Sequence, residues 1–462
     1  MRAVASSRRG NRLVTTDEQG VYELRDLPAG RWNITASKAG FVTMSFGQRR
    51  PFEAGRPIEI ADDQIMERAD LVLPRGAAIT GHLLDEFGDP VARARVQAQR
   101  YQLVQGARRL TPVGVTAQSD DTGAFRLYGL MPGEHYVSAV LRALPVDDTN
   151  DTTSYAPTYS GTGSVTEAQP VSLDIAAEAS ISFALMSVLT ARITGSVLSS
   201  TGAPLSNVAP GSYTLTALSG GGRNAGPDSD RGFAQITVAG EDLREVTVIT
   251  NRGATLTGTV SGGWGTTAQL PTRGMQVTAQ PVPFDPTLRS RPTRVQADGT
   301  FTLTNLFGPS IVRVSGLSQE WTVEAILVAG SDVTDTPFDF RPNQTIESAE
   351  IVLTDRITHV SATVKEPDGA PSTDFTLVVF PEDDTTWTPL SRFVRSARPD
   401  QQGLVKITGM PPNDRYLAVA VNYLEEGGAS DPAFLESIRG RASRFSLDEG
   451  ASATVDLTLV ER

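Results

Sequence analysis

The residues that could do chemistry are few in this chain. It has three histidines and no cysteine. A disulfide framework and a thiolate metal site are therefore excluded. His82, His135 and His359 lie in three separate strand-like phrases, and no His-Glu-x-x-His or His-x-x-Glu spacing occurs. Zinc ligation of the peptidase kind is thus unsupported. His135 follows Leu130 by five residues, as Trp32 follows Leu27. That spacing assigns it an inward, packed position rather than a ligand's. There is no Gly-x-Ser-x-Gly elbow and no Gly-x-x-x-x-Gly-Lys phosphate loop. Neither a serine nucleophile nor a nucleotide site is indicated. Acids cluster at Asp147, Asp148 and Asp151, and again at Glu382, Asp383 and Asp384. Neither cluster has calcium-loop spacing, and both read as solvated acidic turns. The remaining candidates are aromatic. Tyr155 and Tyr159 fall in SYAPTYSGTGS, and Trp387 falls in DDTTWTPL. An amphipathic ring on a loop rim can stack on a sugar or a peptide. These three are the candidate ligand-binding residues. The commoner use of such rings is to cover the open end of a folded module. No catalytic residue, metal ligand or cofactor is expected.

A recurring phrase positions these side chains. It runs Asp-x-x-Gly-x-aromatic-x-Leu, then a Pro/Gly turn, then a second alternating run. Residues 17–36 read DEQGVYELRDLPAGRWNITA, and 120–139 read DDTGAFRLYGLMPGEHYVSA. Weaker copies stand at 296–314 and 400–420. The pairs Gly20/Leu27, Gly123/Leu130, Gly299/Leu306 and Gly403/Met410 keep one spacing. Repetition on this scale means tandem modules. In the first copy Tyr22 and Leu24 share one face, and so do Trp32, Ile34 and Ala36. Period-two alternation marks half-buried strands. Pro fixes φ and Gly permits positive φ between them, so the phrase predicts a hairpin.

A second phrase opens the modules: Ile79-Thr80-Gly81, Ile193-Thr194-Gly195, Leu256-Thr257-Gly258 and a worn Val360-Ser361-Ala362. Alternating strands such as Glu350-Ile351-Val352-Leu353 close them. One stretch, Asp431 to Arg439, reads as a helix, with Asp431 able to cap and Pro432 at the first helical position. The chain therefore divides into five parts. Residues 1–75 are a partial β-sandwich, 76–189 a full one and 190–252 a truncated one. Residues 253–355 form another module, and 356–462 form the last, with the short helix. The fold class is all-β, a tandem array of β-sandwich modules. The truncated module lacks about three strands at typical strand lengths. It is expected to be the weakest part, cut first by proteases between residues 198 and 232.

The net charge is −12, and no basic stripe is present. Nucleic acid is therefore not an expected partner. No apolar run reaches the roughly 20 residues of a membrane-spanning helix. The start, MRAVASSRRGNRLVTT, lacks the apolar core of a signal peptide. It begins inside a module, so further sequence upstream is expected.

DEQGVYELRDLPAGRW, ITGHLLDEFGDPVARARV with DDTGAFRLYGL, and ITGSVLSSTGAPL resemble the carboxypeptidase regulatory-like domain family. LTDRITHVSATVKEPDGAPSTDFTLVVF and DPAFLESIRGRASRFSLDEGASATVDLTL resemble the last module of large multi-module bacterial proteins of this kind. The resemblance covers nearly the whole chain. It implies Ig-like/transthyretin-like β-sandwich modules, grouped with carbohydrate-binding-like folds. In metallo-carboxypeptidases such a domain is an accessory to the catalytic one. No peptidase domain accompanies it here, so no enzyme activity is implied. The resemblance further implies an extracytoplasmic building block, periplasmic, secreted or on the cell surface. Its expected partner is a glycan or another cell-surface component. Two rival readings are an adhesin-type stalk and an accessory region of a larger surface protein or enzyme encoded upstream. A stalk with internal Lys–Asn isopeptide bonds needs an inward lysine in each bonded module. The lysines are Lys38, Lys365 and Lys406; Lys406 alternates outward, and modules two to four have none.

Overall fold

The computed structural model describes the whole chain except residues 8–9, 51, 105, 142–152, 190, 194–204, 219–229, 244, 264, 267, 286–287 and 462. The leading Asp of the repeated phrase builds a turn. Asp17 Oδ1 accepts from the backbone N–H groups of Gln19 and Val21. Asp120 does the same for Thr122 and Ala124, and Asp400 for Gln402 and Leu404. Each turn brings a glycine to positive φ, at Gly20 (85°), Gly123 (74°) and Gly403 (85°). Only glycine enters that region without steric cost. In the 296–314 copy Gln296 replaces the leading Asp, and Asp298 accepts from Thr300 instead.

The opening and closing strands of three modules pair in parallel. Ala77–Leu84 lies beside Glu178–Ala184, Ala254–Gly262 beside Thr345–Thr354, and His359–Lys365 beside Ser452–Val460. This contact explains the glycine of the opening phrase. A Cβ added at Gly81 would lie 1.6 Å from the Ile181 carbonyl oxygen, and one at Gly258 would lie 2.3 Å from that of Ala349. The last module carries Ala362 there, opposite Val455.

The repeated phrase is not a hairpin. Its first arm, Ala124–Leu130, pairs with Ala77–Leu84, while its second, Gly133–Val140, pairs with Arg95–Val104 in another sheet. Thr300–Leu306 and Gly308–Ser315 separate in the same way; Val405–Thr408 and Asn413–Val421 likewise pair with different strands, but within one seven-stranded sheet joined through Ser452–Val460. In the first copy residues 21–29 carry no strand. The turn crosses the end of the sandwich, so the inward faces of the two arms meet across the core. Phe125 and Leu127 come from one sheet, and His135, Val137 and Ala139 from the other; all are buried.

A ring latch secures this crossing. Trp32 Nε1–H donates to the Pro28 carbonyl at 2.9 Å, and His135 Nε2–H to that of Met131 at 2.7 Å. Tyr213 donates its hydroxyl to the Ala209 carbonyl, and Tyr416 to that of Pro411, each at 2.8 Å. Each ring fills a core while its polar end satisfies a turn carbonyl that would otherwise lack a donor. In the 296–314 copy Ile311 takes the slot, five residues after Leu306, and a latch is lost.

Modules two, four and five have separate cores, centred on Phe125, Phe301 and Tyr416 respectively. Residues 1–75 bury Trp32, Ile34 and Ile58 together. In 190–252 the described strands form two two-stranded ladders, with a small core around Val238. Most of the expected cleavage segment 198–232 lies outside the described residues. The helix Pro432–Arg439 is capped by Asp431 and buries Phe434, Leu435 and Ile438 on the last module.

Among the described residues that last module touches three others. Arg398 forms an ion pair with Glu53 at 3.2 Å and donates to the carbonyls of Gly47 and Ala54. Arg56 donates in return to the carbonyls of Pro399 and Asp400. Arg392 grips Asp335 of module four with two bonds of 2.8 Å. From module two, Arg100 pairs with Glu425 and stacks on Phe52.

Candidate functional site

The structure does not bring the three candidate rings together. Trp387 lies in the last module and Tyr155 and Tyr159 in module two. Trp387 is 8 % exposed, against Phe380 and the helix residues Phe434 and Leu435. Its Nε1–H donates to the Pro381 carbonyl at 2.9 Å. It therefore offers no ring to a ligand, contrary to the expectation from its polar neighbours. The cause is local. Asp383 caps the single turn Asp384–Thr386, and that turn swings Trp387 inward. Tyr155 is half-buried, and its hydroxyl donates to Glu86 at 2.7 Å. Burial first, and then the Glu86 carboxylate, push its phenol up to about 12. Tyr159 is half-buried, opposite Ser138 across the strand pair.

The other chemistry-bearing side chains serve the fold. Burial pulls His135 below its ordinary range. Among the described residues its Nδ1 has no partner, so a second proton would sit there unsatisfied. His82 is exposed, and His359 is half-buried in its opening strand. Glu382 pairs with Arg444 at 2.6 Å. Asp147, Asp148 and Asp151 lie outside the described residues. Lys38, Lys365 and Lys406 are all exposed, so none is placed for an internal isopeptide bond. Among the described residues no group of three or more His, Asp or Glu is arranged to hold a metal. No helix among them is long and apolar enough to cross a membrane.

Two hollows of about 440 and 450 Å³ open on the surface. The first, in the last module, is lined by Glu382, Glu436, Arg439 and Arg444, which pair among themselves. The second, on module two, has Tyr101, Tyr136, Arg108 and Thr166 in its wall. Sequence reasoning missed it. The signal was present in the strand Arg95–Val104, where Val96 and Ala98 face the core. Gln97, Gln99 and Tyr101 must then face outward. Tyr136 follows the inward His135 and faces outward for the same reason.

No family model matches the chain, and no curated protein matches it. Solved structures do align with it. The Bacillus anthracis TIE protein aligns at 8 % identity over 100 % of this chain and 68 % of its own, with a TM-score of 0.17. The major pilin subunit of Bacillus cereus aligns at 9 % identity over 84 % and 99 %, also at 0.17. A shaft pilin from Lactobacillus rhamnosus GG aligns at 10 % identity over 46 % and 97 %, at 0.20. Superpositions this loose carry no argument about function. The all-β, tandem-sandwich class stands on the sheets themselves.

Proposed function

We propose that the chain is a non-catalytic, multi-module structural and binding protein that works outside the cytoplasm, with glycans as its ligand class. The observation that carries this reading is the use made of the reactive side chains. His135, Tyr213 and Tyr416 latch turns, Trp387 packs a core, and Asp17, Asp120, Asp383 and Asp400 hold turn backbones. Among the described residues a tyrosine-lined hollow on module two is open to a ligand, suited to stacking and hydroxyl exchange rather than bond cleavage. We read the modules as carboxypeptidase regulatory-like domains, supported by the repeated phrases and their sandwich geometry. The adhesin-type stalk places modules end to end, and the contacts of the last module with modules one, two and four run against it. A glycan array probed with the whole chain tests the ligand class. Fractionation of the source cells with an antibody tests the compartment. Binding to no glycan, or recovery from the cytoplasm, overturns the corresponding part.

A further inference from the structure

Resting on that reading, we propose that the outer face of module two is a binding site for an acidic sugar, with Arg108 as its carboxylate clamp. Tyr136 stands opposite Gln99, and Ser138 opposite both Gln97 and Tyr159. Opposed residues of an antiparallel pair share a face, and diagonal neighbours lie within reach of long side chains. Tyr101, Tyr136 and Tyr159 therefore form a diagonal row on the face away from the core. The rings of Tyr101 and Tyr136 meet edge to face, with centroids 5.4 Å apart and planes at 82°. They form a corner rather than a flat shelf. The hollow of about 450 Å³ beside them is within the usual range of small-ligand pockets.

Among the described residues, three of the four tyrosine hydroxyls without a protein partner lie at this corner, Tyr128 being the fourth. Tyr22, Tyr155, Tyr213 and Tyr416 each donate to a protein oxygen. Among the described residues the hydroxyls of Tyr101, Tyr136 and Tyr159 have no such partner. Arg108 is exposed and likewise makes no ion pair among them; its guanidinium lies 4.6 Å from the centre of the Tyr101 ring. In a chain of net charge −12, an unpaired arginine held in place by a ring is a prepared anion site. A guanidinium has five donors in a fork and no acceptor, which matches a carboxylate. Phenol and threonine hydroxyls both donate and accept, as sugar hydroxyls require. The corner offers apolar surface to the C–H face of a pyranose ring. A uronic acid unit meets all of these demands at once.

Isothermal titration of the whole chain tests the site with three probes: a glucuronic acid oligosaccharide, a neutral glucose oligosaccharide of equal length, and a peptide with a free C-terminal carboxylate. The uronate should bind at least about tenfold tighter than the other two, the usual worth of a charged hydrogen bond. Arg108→Gln should remove that preference, and Tyr136→Phe, which keeps the ring, should weaken uronate binding. Tyr155→Phe should leave it unchanged, since that hydroxyl belongs to Glu86. Uronate binding that survives both Arg108→Gln and Tyr136→Phe overturns this site while leaving the glycan reading intact. Preference for the neutral sugar overturns the clamp. Preference for the peptide overturns the sugar proposal. A whole chain that binds no saccharide here or on the array overturns both.

Discussion

Replacing Arg398 with Met should release module one from the last module. Arg398 is 3 % exposed and Glu53 6 %. The guanidinium reaches Glu53, Asp374 and the carbonyls of Gly47 and Ala54. Met keeps the volume and removes the charge. Asp374 retains Arg49 at 2.7 Å, but Glu53 is left with only the backbone N–H groups of Arg49 and Arg50. Removing one partner of a buried ion pair costs about 3–5 kcal/mol, because the other charge stays desolvated. Docking would weaken by roughly 10²- to 10⁴-fold. Each module has its own core, so the loss should appear as undocking rather than unfolding. The chain has no cysteine, so Glu18→Cys and Lys365→Cys, both at exposed positions, accept a donor and an acceptor dye. Energy transfer between them should fall in Arg398→Met. It should partly recover in Arg398→Met/Glu53→Gln, where the orphaned charge is gone. High salt alone should not open the wild type, since buried pairs are weakly screened. Transfer unchanged in Arg398→Met, or the double variant worse than the single, would refute the reasoning.

Three further outcomes follow from the module interiors. Phe125→Ala should cost about 3–5 kcal/mol in module two, read by denaturant unfolding, because the ring is buried against Phe183 and Leu127. Gly81→Ala should destabilise the same module more than Ala362→Gly destabilises the last, because only the first drives a Cβ into a carbonyl; equal effects in thermal melts would count against the close-approach explanation. His135 should make module two acid-sensitive. Its folded pKa is lowered by burial, so the unfolded chain binds the proton more readily. Stability is then full above about pH 6.5 and declines as pH falls below that value. His135→Tyr, which installs the ring used at Tyr213 and Tyr416, should fold and flatten that part of the pH profile.

Alternation made most strands legible, because one residue in two must face a core. It identified Trp32 and His135 as inward, and both are buried. The same rule could not say which sheet a strand joins. Phe125 and Val137 both face inward whether their strands form a hairpin or face each other across the sandwich. That choice is set by long-range pairing with Ala77–Leu84 and Arg95–Val104, which no local pattern encodes. Loop residues carry no period at all. Trp387 sits among Asp and Thr and reads as exposed, yet one capped turn carries it into a core.

The contacts between modules are the least legible part. Arg398, Glu53, Arg392 and Asp335 look like ordinary surface charges in sequence, where a charged residue is presumed solvated. Tyr101 shows the opposite failure. Its outward facing follows from Val96 and Ala98, but an outward tyrosine acquires meaning only when Tyr136 and Arg108 arrive from neighbouring strands. Sequence period assigns a face, and only the sheet assigns neighbours on it. A module whose interior is fixed by repeated phrases is thus free to vary its outer face. The site proposed on module two lies on such a face, while the ring latch beneath it is shared with modules one, three and five. Grafting Tyr101, Arg108 and Tyr136 onto another module's outer face should therefore transfer binding without touching the core.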